Sequence, residues 1–217
     1  MMFSPTRNSR SLIKQSFAAF RSMMRKSVMA LVGVLLLSPA MAQAVEISDS
    51  TPGISTTVLA YFRFGEDQFP DASVKLDQFD AHLRLLSGDT INVVSLPDAL
   101  ADLRTPITPE AARRQVAITI DNAYRSVYDH AWPRLKALGL PFTLFIATDL
   151  IDGGAPAYMS WDQIRELAAA GVTIGLRGAA HAHLPGLPDL ALLKDIRHGL
   201  SRLEAELGIT ARLFSYP

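Results

Sequence analysis

Val116-Ala117-Ile118-Thr119-Ile120-Asp121-Asn122 decides how this chain reads. The first five residues are rich in β-branched side chains and predict a buried strand. A carboxylate at the C-terminal end of such a strand, here Asp121, lies where parallel α/β folds build their sites. Further on, Arg177-Gly178-Ala179-Ala180-His181 sets an arginine and a histidine four positions apart. A helical turn there would aim both side chains at one point. The spacing suits two ligands of one metal ion, but arginine holds one of the two positions.

The pattern around this stretch alternates strand and helix. Residues 56–61 predict a first strand, and residues 75–87 carry Leu76, Phe79, Leu83 and Leu86 at the spacing of an amphipathic helix. Residues 91–94 form a short strand candidate, followed by a helix opening at Leu96-Pro97 and running to about Leu103. Residues 104–110 are a polar, proline-containing connection. After the strand at 115–120, a helix is expected from about Ser126 to Leu138, ended by Gly139 in a left-handed C-cap. The run 142–147 reads as another buried strand. A loop with Gly153, Gly154 and Pro156 then leads to Ser160, the expected N-cap of a helix over 161–170 that Gly171 ends. Residues 172–175 give a strand, 190–207 a long helix, and Leu213-Phe214-Ser215-Tyr216 the start of one more strand. Such alternation predicts an α/β domain with a parallel sheet covered by helices.

The whole chain balances 21 basic against 21 acidic residues, but the balance is uneven along it. Residues 1–44 hold six of the basic residues and no acid. The remainder therefore has 15 basic and 21 acidic residues, a net charge near −6. No basic stripe is left for a phosphate backbone, so nucleic acid is not expected as a partner. Arg25-Lys26, the apolar run 28–37 and the exit Ala40-Met41-Ala42-Gln43-Ala44 describe a secretory signal peptide with a long basic extension. Cleavage is expected after Ala44 or Ala42, and the length of the extension suggests a translation start nearer Met23 or Met24. The apolar run is about half the ~20 residues that span a bilayer, so no stable membrane anchor is expected. The exported domain is then 45–217. There is no cysteine, which removes disulfides, thiol nucleophiles and thiolate zinc sites.

Val116 to Asn122, the segment 142–148, Met159-Ser160-Trp161-Asp162-Gln163-Ile164, the stretch 171–184 and Phe214-Ser215-Tyr216-Pro217 together resemble the polysaccharide deacetylases, the family with the NodB homology domain that includes chitin and chitooligosaccharide deacetylases. Each motif alone is weak; their order and spacing carry the resemblance, which covers nearly all of 45–217. It implies a distorted (β/α) barrel with its site at the C-terminal strand ends. The implied activity is metal-dependent hydrolysis of N-acetyl groups on an exported polysaccharide. By the same resemblance Asp121 would be the general base, Asn122 and His181 would stand at ligand positions of a zinc-like divalent metal, and Arg177 would replace the remaining ligand. Tyr216, Pro217 and Trp161 would belong to the substrate cleft, although Trp161 after an N-cap reads more readily as core packing.

The departures from the family pattern bear on the chemistry. Asn122 offers only a neutral carbonyl oxygen, and Arg177 is permanently charged with no lone pair to donate. The chain is therefore expected not to hold the metal. If Arg177 points inward, its guanidinium is expected to take the place of the cation and pair with Asp121; the alternative is an arginine lying in solvent on the loop. Ser215 stands where many relatives carry an arginine that orients the base, and Tyr61-Phe62 where relatives carry Tyr-His. Relatives also continue past Tyr-Pro with an aromatic-Gly pair and a general-acid histidine, so the barrel is expected to be C-terminally truncated. His183 is expected to cap or pack, and His82, His130 and His198 to lie in solvent on helices. Three readings stay open: an impaired deacetylase, a non-catalytic glycan-binding pseudoenzyme, and a truncated product without function.

Overall fold

A computed structural model describes residues 56–103 and 115–217. The signal peptide expected over 1–44 and the connection at 104–110 lie outside the described residues.

β5 (Gln115–Asp121) is the centre of the sheet, and all seven of its residues are buried. β1 (Thr56–Tyr61) runs parallel to it from Thr56 against Gln115 to Tyr61 against Ile120. β4 (Asn92–Val94) pairs with its first three residues, and β6 (Phe142–Ile146) with its last four. β7 (Thr173–Leu176) then follows β6, again parallel, with Ile146 opposite Leu176. Between these strands lie α1 (Leu76–Leu86), α2 (Leu96–Asp102), α3 (Trp132–Ala137), α4 (Thr148–Asp152) and α5 (Trp161–Ala169), and α6 (Asp189–Leu207) follows β7. The result is the α/β layout with a parallel sheet that the alternation predicts. Two strands of two residues each, β2 (Arg63–Phe64) and β3 (Ser73–Val74), form a small separate ribbon.

Local chemistry explains most boundaries. The Ser160 hydroxyl accepts from the Gln163 amide, and the Gln163 side chain returns to the Ser160 amide, a reciprocal cap that starts α5. Pro97 occupies the first turn of α2, where a missing N–H costs nothing. Gly139 has φ 63° and closes α3 in the left-handed form expected of it.

The helix expected from Ser126 departs from prediction. Val127–Ala131 is a π-helical turn, and only Trp132–Ala137 is α-helical. Pro133 is the physical reason: it cannot donate to the carbonyl four residues back and its ring crowds that carbonyl. The turn before it widens, and the Trp132 amide bonds to the Val127 carbonyl five residues earlier. The loop expected after residue 147 contains the short α4 as well. The strand expected at 213–216 is a single parallel bridge of Phe214 to Leu176, fixed by hydrogen bonds from the Leu176 amide to Leu213 and from the Ser215 amide to Leu176, both 3.0 Å.

Phe64, Phe79, Ile118, Ile120, Leu135, Leu144, Ile146, Ile164 and Leu203 are fully buried and belong to one core. On the neighbouring strands Gly175 lies against Phe145: a Cβ at 175 would come within 2.5 Å of the Phe145 ring. Because the paired strands of the sheet all run the same way, their C-terminal ends meet at one rim.

Candidate functional site

Three backbone hydrogen bonds build the rim. The Asn122 amide donates to the Phe145 carbonyl at 2.8 Å, Arg177 to Ile146 at 2.8 Å, and Ser215 to Leu176 at 3.0 Å. Each residue that follows a strand is thus tied to the neighbouring strand, and Asp121, Asn122, Arg177 and Ser215 are brought together from distant sequence.

Arg177 is the hub. It is 7% exposed, and its Nη1 donates to Asp121 Oδ2, in a buried ion pair, and to Ser215 Oγ at 3.0 Å. Its Nε donates to His181 Nε2 at 3.1 Å. Its guanidinium lies 5.8 Å from the centre of the Phe62 ring, a cation–π contact across the mouth of the site. The inward arginine paired with Asp121 is one of the two arrangements the sequence leaves open. Its means are different: residues 178–183 are not helical, and Arg177 meets His181 because the backbone turns through positive φ, 75° at Gly178 and 55° at His181.

Positive φ recurs across the site. Besides His181, the two other non-glycine residues with it among the described residues are Asn122 (71°) and Ala123 (47°), directly after Asp121. Such conformations are disfavoured for side chains other than asparagine or aspartate and cluster where function requires them. The Asn122 side chain is buried and its Oδ1 has no hydrogen-bond partner among the described residues.

Burial pushes the Asp121 carboxyl above its usual range, against the opposing pull of the Arg177 charge. Burial first, and the Arg177 charge second, push the His181 imidazole below its ordinary value. His181 is therefore held neutral, with the Nε2 lone pair already engaged by Arg177.

These residues do not fit a divalent cation. Asn122 supplies a neutral oxygen, His181 has turned one nitrogen to Arg177, and a guanidinium lies on the carboxylate that a cation would seek. Among the described residues no group of three or more His, Asp or Glu side chains is placed to hold a metal.

Trp161, Tyr216 and Pro217 are the remaining residues expected in the cleft. Trp161 is half-buried against the core, donates its indole N–H to Asp152 at 2.7 Å and has Arg202 5.6 Å from its ring centre. Those partners form a network of their own with Glu206 and Arg165. Tyr216 is 73% exposed and meets Phe214 edge-on at 5.5 Å; Pro217 is half-buried. His183 is exposed and makes no side-chain cap, so the capping expectation for it is corrected. His82 and His198 are exposed and His130 is half-buried, but His82 is not free: its Nδ1 meets the Tyr61 hydroxyl at 3.0 Å.

Two contacts had no signal in the sequence. Arg63 is buried between the rings of Phe69 (3.9 Å) and Tyr124 (3.6 Å) and pairs with Glu66, which also accepts from Ser126. Phe62 shields Arg177. A hollow of about 270 Å³ between Trp132, Leu140 and Val172 lies at the opposite end of β6 and β7 and gathers no titratable side chain except Lys136. The rim is where titratable groups converge.

Comparison with known proteins gives the family and the fold. Residues 108–217 match the family described as polysaccharide deacetylase. A Bacillus subtilis (strain 168) protein provisionally named a polysaccharide deacetylase, YxkH, is 28% identical over 110 residues, 51% of this chain; the match spans 38% of that relative's own length. Among solved structures, the Streptococcus pyogenes deacetylase PplD in complex with acetate has a TM-score of 0.68 at 20% identity, covering 76% of this chain and 74% of that one. IcaB from Ammonifex degensii has a TM-score of 0.66 at 27% identity, covering 76% and 75%. The fold is the distorted barrel of these structures.

Proposed function

We propose, on the premise that this chain belongs to the polysaccharide deacetylase family, that it binds a polysaccharide in the family's cleft while its metal-dependent deacetylation is impaired. The family acts on polysaccharides and is typically metal-dependent. The observation that carries the proposal is the buried Arg177–Asp121 ion pair. It commits the carboxylate implied as general base to a neighbouring guanidinium. It also puts a fixed positive charge where a metal would need neutral and anionic donors. The guanidinium holds one carboxylate oxygen that an attacking water would otherwise meet.

Calorimetry with zinc and cobalt, acetate release from acetylated chitooligosaccharides, and a binding screen against cell-wall and exopolysaccharide fragments test this together. Glycan binding without metal binding or acetate release is the expected result. Stoichiometric metal with acetate release overturns the impairment, and failure to bind any fragment overturns the glycan role.

One observation favours residual catalysis. His181 is held neutral and Asp121 has a raised carboxyl, the protonation states suited to a ligand and a base. On that reading His181 would serve as a ligand and Asp121 as the base, and the acetate assay decides. We also propose that the protein acts after export, with 1–44 as its signal peptide; N-terminal sequencing of the exported form should begin at Val45.

A further inference from the structure

The turn that carries Arg177 and His181 is gripped by a residue outside the rim. Both carboxylate oxygens of Asp195, on α6, accept from consecutive backbone amides: Oδ2 from Ala179 at 3.0 Å and Oδ1 from Ala180 at 2.8 Å. From the other side, the Asp149 amide on α4 donates to the Ala179 carbonyl at 3.0 Å. Ala179 is 2% exposed, so its amide has no water to replace a lost acceptor. No lysine or arginine among the described residues pairs with Asp195, which leaves its charge directed at the two amides.

The turn is shaped to receive this carboxylate. Gly178 has φ 75°, and a Cβ there would lie 2.4 Å from Asp195 Oδ2, so only a residue without a side chain fits both the backbone and the space. His181, with φ 55°, follows directly after the clamped amides. A left-handed histidine persists only where its surroundings fix it. Two parallel bonds from an anion to backbone N–H groups, with Arg177 immediately before them, supply that fixing.

We infer that Asp195 is a positioning residue for the rim: through the Ala179 and Ala180 amides it sets the turn that lays Arg177 onto Asp121 and His181. What Arg177 and His181 do for a ligand rests on the proposed glycan cleft; what holds them in place does not. A carboxylate is required because both positions face donors. An asparagine keeps the shape but turns its NH₂ toward one of the amides and loses that bond.

Solution NMR of the full, ¹⁵N-labelled chain compares wild type with Asp195→Asn, Gly178→Ala and Arg202→Ala, without any glycan. In Asp195→Asn the Ala179 and Ala180 amides should exchange about tenfold faster or more, the factor expected for one lost hydrogen bond. The Arg177 Nε–H and His181 Nε2 signals should move with them. Gly178→Ala pushes on the same carboxylate from the loop side and should give the same pattern. Arg202→Ala removes a separate α6 network to Asp152 and Glu206 and should leave those signals in place. Unmoved Arg177 and His181 signals in folded Asp195→Asn overturn the inference. So do equal shifts in Arg202→Ala, which would reveal a general loosening of α6. If Asp195→Asn does not fold, Gly178→Ala decides by the same signals. Because no polysaccharide is present, this failure is distinct from failure of the glycan reading.

Discussion

The Arg177 guanidinium and the Asp121 carboxylate, 56 residues apart in sequence, form a buried ion pair that joins the ends of β7 and β5. Both side chains are 9% exposed, so neither charge has adequate solvation without the other. Removing one partner of such a pair typically costs about 3 to 5 kcal/mol, because the other is left charged in a dry site. Arg177→Ala should lose about that much stability in urea denaturation. Arg177→Met combined with Asp121→Leu should lose clearly less, since no charge remains unpaired. A loss below about 1 kcal/mol in the single variant would mean that the pair does not form in solution.

Two substitutions should raise the affinity of the rim for a divalent metal. Asn122→Asp with Arg177→His supplies a carboxylate and a second imidazole beside His181 and removes the opposing charge. Zinc affinity should rise about a hundredfold or more over the parent chain, measured by calorimetry. Equal zinc affinity in the parent and the double variant would place the site elsewhere.

Gly175 is a packing requirement rather than a turn. A methyl group at 175 would lie 2.5 Å from the Phe145 ring, well inside contact distance. Gly175→Ala should cost about 1 to 3 kcal/mol, the usual range for overpacking, read as a shift in the denaturation midpoint. Adding Phe145→Leu should recover part of the loss, and an additive double variant would refute the contact.

Acid should weaken the fold through His181. Its imidazole is held below the ordinary 6.5 by burial and by the Arg177 charge, so the unfolded chain takes up this proton before the folded one does. Stability from this group is complete above pH 6.5 and is lost as the pH falls through the folded value. Thermal unfolding should therefore occur at lower temperature at roughly pH 5 than at roughly pH 7, and His181→Gln should flatten that slope. Asp121 has the opposite sign, because burial raises its carboxyl above 3.8; it persists in His181→Gln and is removed by comparing the two chains. An unchanged slope in His181→Gln would assign the effect to other groups.

Much of the fold was legible in the sequence because the signals were local and periodic. The β-branched run ending in Asp121, the Ser160–Gln163 cap and the 3.6-residue spacing of α1 each state their structure within a few residues. The sequence left Arg177 open between an inward guanidinium on Asp121 and a loop side chain in solvent, and only the fold decides between them. What escaped was short or long-range. α4 has five residues and an alanine at its N-cap, so it offered neither a period nor a cap. The π-turn before Pro133 needed a hydrogen bond count that propensity does not provide. The left-handed His181 and the Asp195 grip depend on contacts between elements, and no motif marks them. Trp161 gave an ambiguous signal, and its neighbours Asp152 and Arg202 are what distinguish a packed edge from an open sugar face.

The turn at Ala179 and Ala180 is held by three hydrogen bonds from two helices before any ligand arrives. The conformational entropy of ordering it is lost when the chain folds and is not charged again at encounter. Association with this rim should therefore proceed as a single diffusive step, without the slow phase of a gate that must first close. Selectivity would then lie in how long a bound chain stays, set by the rigid floor of Arg177, Asp121 and His181, and not in how fast it arrives.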